Sequence, residues 1–239
     1  MPGAAAASGG RRAVRLGERT WTEVERTTVL VPVGSLEQHG PHLPLDTDAR
    51  IAAAVARRAA DPSTLIAPPL AYGASGEHEG FAGTLSIGHA ALRAVLVELG
   101  RSAGAWASRL VFVNGHGGNL PTVAEAAVQL RAEGRDVAWS GCVVPGGDAH
   151  AGRTETSILL ALDPSVVRLA VAEVGNTAPL QDLMPLLTSG GVKAASANGV
   201  LGDPRGATAA EGEALLATLG EHLRDELGRW KPDERARLR

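Results

Sequence analysis

The chain has 239 residues, 44% of them hydrophobic and 21% charged, with a formal charge of −3. That length suffices for one α/β domain with a full core, and the near-neutral, scattered charge excludes the electrostatic footprint of a nucleic-acid-binding surface. No apolar run approaches the roughly 18 residues of a membrane span, and the single cysteine, Cys142, excludes an intrachain disulfide.

Residues 1–12 are rich in Ala, Gly and Ser and lack the apolar core of an export signal, so they read as a flexible segment. Export and membrane insertion both being unsupported, the cytoplasm is the expected location. Residues 13–230 then read as a single domain and residues 231–239 as a flexible C-terminal tail. Thr27 to Val33 is a strand by its β-branched run. Asp48 to Ala60 reads as a helix, with Pro62 beyond its end. Leu65 to Ala67 is a short strand stopped by Pro68-Pro69. The Gly-rich loop from Tyr72 to Gly83 leads through Thr84 to Ile87 into a helical pattern from His89 to Trp106. A strand at 109–113, a helix at 120–133, a strand at 136–140 and a helix from about Thr154 to Ala161 follow. Cys142, beside Val143-Val144, reads as a small buried hydrophobe rather than a nucleophile. The region 175–206, rich in Gly, Pro, Ser and Asn, is expected to form long loops. Ala209 to Leu227 closes the chain as an amphipathic helix, with Leu215, Leu216, Leu219, Leu223 and Leu227 on one face. Alternation at this spacing argues for a largely parallel sheet covered by helices.

Three polar clusters follow strands, where divalent-metal sites form. The first, Glu37-Gln38-His39-Gly40-Pro41-His42-Leu43-Pro44-Leu45-Asp46-Thr47-Asp48, succeeds the run Val29 to Val33. Glu37 and His39, two apart, point to one side of an extended backbone. Asp46 and Asp48 each suit a ligand or a helix cap, and spacing alone leaves that choice open. The second, Asn114-Gly115-His116-Gly117-Gly118-Asn119, sets a histidine among glycines that allow close backbone approach. In the third, His150-Ala151-Gly152-Arg153-Thr154-Glu155-Thr156-Ser157, an imidazole and a carboxylate flank a helix start. The alternative for Thr154 or Glu155 is a capping role.

Taken in order over residues 25–161, these clusters and the loop Tyr72-Gly-x-Ser75-x-Glu77-His78-x-x-Phe81-x-Gly83-Thr84 resemble the creatininase family of metal-dependent amidohydrolases. The resemblance implies a three-layer α/β/α sandwich, a two-metal centre and a homo-oligomer, a hexamer or similar ring. It implies that Glu37 and His116 bind one divalent ion and His39 the other, with Asp48 bridging them. Creatininase carries a further Glu ligand two residues after the histidine of its third strand; Gly118 stands there here, and Glu155 is the carboxylate expected to complete the second ion. His150 matches the family's catalytic histidine, with Glu155 as the other candidate proton carrier. Imidazole and carboxylate ligands suit Zn, Fe(II) or Mn. The approach Gly146-Gly147-Asp148-Ala149 has no aromatic residue, which argues against creatinine as substrate. The loop at 72–87 and the segment 148–157 are similar to the mycofactocin-system members of the family, which implies a peptidase releasing a C-terminal Val-Tyr dipeptide from a modified, ribosomally made precursor. A formamide hydrolase or another amidohydrolase of small linear or cyclic amides is the alternative, and a non-catalytic metal-binding scaffold a remote one. The apolar residues Leu180, Leu183, Met184, Leu186 and Leu187 around Pro185 are expected at a subunit contact or an active-site rim.

Overall fold

The computed structural model describes residues 14–239, so the segment 1–12 lies outside the described residues. Its frame is a five-stranded sheet in the order β1-β3-β2-β4-β5, with every pairing parallel. The strands are β1 (Val14–Arg15), β2 (Thr28–Val33), β3 (Leu65–Ile66), β4 (Arg109–Asn114) and β5 (Val137–Gly141). β1 carries no periodic signal of its own and joins the sheet only through two residues beside β3. β2, β4 and β5 are buried almost throughout, which is why they read as continuous apolar runs rather than alternating ones. Pro32 is tolerated in central β2 because its side facing β3 meets the gap between Ala67 and Leu70, whose amides bond Leu30 and Pro32 carbonyls at 2.9 Å each.

Helices cover both faces. α1 (Thr47–Ala59), α4 (Arg153–Leu162) and α6 (Ala209–Arg229) pack one side through Ile51, Val55, Ile158, Leu216 and Leu223. α2 (Gly88–Ala103) and α3 (Leu120–Ala132) pack the other through Leu92, Leu96, Val123 and Leu130. The result is the expected three-layer α/β/α sandwich, with element ends within a few residues of those read from the sequence. No described helix is long and apolar enough to cross a membrane.

Two expectations are corrected. The region 175–206 is not all loop, because Leu180–Ala195 forms α5, bent where Gly191 takes φ 67°. Pro185 in its second turn forfeits one backbone bond, yet the helix holds because Leu183, Val192 and Ala195 bury against Leu201, with Phe81 and Leu187 alongside. The segment 231–239 is docked rather than a free tail. Ala236 and Leu238 are buried, and Trp139 of β5 donates its amide to Ala236 O at 3.0 Å while accepting from Leu238 N at 2.9 Å.

Candidate metal centre

The carboxyl ends of β2, β4 and β5 converge on one crevice, and each is followed by one of the polar clusters. Backbone closeness brings them together. A methyl group on Gly34 would stand 2.5 Å from Ala49 Cα, and one on Gly115 2.5 Å from Asp48 O. Only glycine lets the ends of β2 and β4 come this near the first turn of α1. That turn carries Asp48, which is 2% exposed and accepts a hydrogen bond from Ser35 Oγ.

Asp48 faces two ways. Its Oδ1 lies 3.1 Å from His39 Nε2 and its Oδ2 3.3 Å from His116 Nδ1. Asp46, the other candidate, is turned away at the helix entrance and holds Arg50 Nε at 2.7 Å. Glu37 Oε1 stands 3.2 Å from both His116 Nδ1 and His78 Nε2. Glu155 Oε2 is 4.0 Å from His39 Nε2. Three groups have donor atoms all within 4.8 Å of one another: Glu37, Asp48 and His116; His39, Asp48 and Glu155; and Glu37, His39 and His150. Asp48 is common to the first two.

Charge balance fits a cation here. Glu37 is fully buried, and neither of its oxygens has a hydrogen bond, a costly state for a carboxylate unless positive charge stands beside it. Burial pulls the His39 imidazole down, but the Asp48 carboxylate, helped by Glu155 and Glu37, outweighs it and lifts the pKa to about 10. His116 is likewise raised, as Glu37 and Asp48 overcome burial. Burial pushes the Glu155 carboxyl up to about 7 against the opposing charge of His39. A cluster that binds protons this avidly is one that a divalent ion suits, and its imidazole–carboxylate donors match Zn, Fe(II) or Mn.

His150 belongs to the same crevice but differs in electrostatics. Burial, reinforced by the charges of His39 and His78, holds it well below the usual histidine range. Its Nε2 is 2.8 Å from Gln38 O, a bond in which the ring nitrogen donates, leaving Nδ1 to face Glu37 Oε1 at 3.9 Å. Ala151 beside it takes φ 51°, a strained value for a residue with a side chain, and donates its amide to Glu155 Oε2 at 2.7 Å. The start of α4 is capped from outside, by Asp148 accepting from Thr154 N at 2.9 Å and from Arg153 N at 2.5 Å. Glu155 thus ties the backbone just ahead of α4 with the same oxygen that faces His39.

Three residues against the site received no role from the sequence. Gln38 donates Nε2 to His78 Nδ1 at 2.9 Å and to Gly199 O at 3.1 Å. His78 and Glu77 come from a 3-10 turn, Gly76–His78, in the Gly-rich loop. Their signal was the Glu-His pair in a loop after a strand, the same kind that marked the other clusters. Cys142 is partly buried just past β5, and burial, with the Asp48 and Glu226 carboxylates adding to it, pushes its thiol up to about 12, unsuited to a nucleophile.

The family model described as creatinine amidohydrolase matches residues 17–227. A mycofactocin precursor peptide peptidase of Mycolicibacterium smegmatis is 59% identical over 217 residues, 88% of each chain. A solved structure described as creatininase with Mn superposes with a TM-score of 0.77 at 29% identity, covering 93% of this chain and all of that one. A mutant creatininase described as of Zn-Zn type gives 0.78 at 28% identity over the same shares.

Proposed function

The chain belongs to the creatininase family and is a hydrolase of C–N bonds, and from that premise we propose that it is a two-metal peptidase. Its substrate on this reading is the modified precursor peptide, from which it releases a C-terminal Val-Tyr dipeptide. The observation that carries the two-metal reading is Asp48, whose two oxygens address two different histidines. The 59% identity to a peptidase of that name supports the substrate.

Glu37 and His116 would hold one ion, His39 and Glu155 the other, and Asp48 both. Zn, Mn or Fe(II) would serve, in keeping with neighbours described as Mn and Zn-Zn forms. Bound ions supply Lewis acidity, which lowers the pKa of water and polarises an amide carbonyl. His150 carries its fixed proton on Nε2, against Gln38 O, and keeps Nδ1 open to take a proton from the attacking water and pass it to the departing amine. Glu155, with a carboxyl near 7, is the second group able to hold that proton. Water's oxygen joins the carbonyl carbon, the C–N bond breaks, and the amine leaves with the transferred proton. A single catalytic domain that takes in the docked segment 231–239, a cytoplasmic location and a ring-like homo-oligomer belong to the same proposal.

Incubating the metal-loaded protein with decarboxylated precursor peptide should release Val-Tyr, followed by mass spectrometry. Intact peptide after prolonged incubation, alongside cleavage of a formamide, would replace this substrate with the family's other chemistry.

A further inference from the structure

Glu77 takes no part in the steps above. Its Oε1 lies 3.2 Å from His116 Nε2. That nitrogen is opposite the one facing Glu37 and Asp48, for Nδ1 stands 3.2 Å from Glu37 Oε1 and 3.3 Å from Asp48 Oδ2. A neutral imidazole has one N–H and can offer Nδ1 to an ion only with its proton on Nε2. Two acceptors wait for that proton, Ala74 O at 3.2 Å and Glu77.

The space around Glu77 is shaped to the same end. A side chain at position 118 would collide with Glu77 Oε1 and stand 2.5 Å from His116 Nε2 and 2.8 Å from Ala74 O, so the glycine leaves room for both partners of this contact. Gly118 has an ordinary negative φ, so it is glycine for room and not for a left-handed turn. The loop is fixed in turn by α5, where a methyl on Gly191 would sit 2.5 Å from Glu77 O.

We propose that Glu77 is a positioning residue of the metal centre, accepting the His116 Nε2–H, fixing the tautomer and aiming Nδ1 at the ion. Such partners of ligating histidines alter metal affinity by about 10- to 100-fold. The inference rests on the two-metal reading above, and its test separates the two. Zn²⁺ affinity would be measured by competition with a chromophoric chelator for the parent, Glu77→Ala, Glu77→Gln, His116→Ala and the Glu77→Ala/His116→Ala pair. Glu77→Ala should weaken the His116-dependent ion by about 10- to 100-fold, and Glu77→Gln, whose amide oxygen still accepts, should restore most of it. In the His116→Ala background, Glu77→Ala should add little, since its route to the ion is gone. Glu77→Asp, which draws the carboxylate back by one methylene without removing it, should weaken the same ion and serves if Glu77→Ala fails to fold. Parent-like affinity in folded Glu77→Ala, or an equal loss in both backgrounds, overturns the proposal. A parent that takes up no Zn²⁺, Mn²⁺ or Fe²⁺ overturns the metal centre itself and this inference with it.

Discussion

At the scale of single residues, Asp48 and His150 sit in one crevice and should fail differently. Removing the shared carboxylate with Asp48→Ala should cost both ions, whereas Asp46→Ala, which breaks only the contact to Arg50, should keep them. Elemental analysis showing two ions in Asp48→Ala would remove the bridge. His150→Ala should retain metal and lose turnover by about 100- to 10,000-fold, the usual contribution of a general acid–base group. Parent-level turnover in that variant across pH 6–9 would end the role. His42 makes a third case, outside the ligand set. Burial, with His39 adding to it, lowers its pKa to about 4, and its Nε2 meets Thr156 Oγ1 at 2.8 Å. The unfolded chain therefore binds a proton that the folded one refuses between about pH 4 and 6.5. Stability from this group is full above 6.5 and is lost as pH falls toward 4. Urea midpoints at pH 4.5 and 7 should differ less in His42→Asn than in the parent; an unchanged difference would count against it.

At the scale of elements, the helices on one face depend on how closely α4 and α6 approach. A methyl on Gly212 would overlap the carbonyl of Ser157. Alanine is ordinarily the better helix residue by about 0.5–1 kcal/mol, but here overpacking should win, and Gly212→Ala should lower stability by about 1–3 kcal/mol. A thermal midpoint at or above the parent's would show that the helices part freely. This packing explains what the sequence made legible. β2, β4, β5 and the helices between them announce themselves because each buries a continuous run or a regular stripe. The residues Glu37, His39, Asp48, His116, His150 and Glu155 were legible because they fall in polar clusters between a strand and the first turn of the next helix. β1 was not, since two residues carry no period and only the partner strand makes them a strand. α5 was hidden by Pro185 and its glycines, whose local cost is met by burial of Leu183 and Val192 that no local pattern reveals. Glu77 was hidden for another reason: its meaning depends on the empty place at Gly118, 41 residues along the chain.

At the scale of the whole molecule, α5 leaves Leu180, Met184 and Leu186 exposed at 49%, 48% and 44%, while Leu183 turns inward. Light scattering at micromolar concentration should give a mass several times 24.5 kDa. Leu180→Asp with Met184→Asp should shift it toward the single chain if this face is the contact. A parent of 24.5 kDa would sink the oligomer. The docking of Ala236 and Leu238 on β5 has a temporal side. Trp139 and its partner Arg235 are 96 residues apart, and chains emerge at about 5–20 residues per second. During synthesis the outer edge of β5 is therefore bare for about 5–20 s, long enough to pair with a stranger's strand. Yield in a heterologous host should then be limited by this interval, improving with slower initiation, lower temperature or more abundant chaperone, with no change in the finished fold.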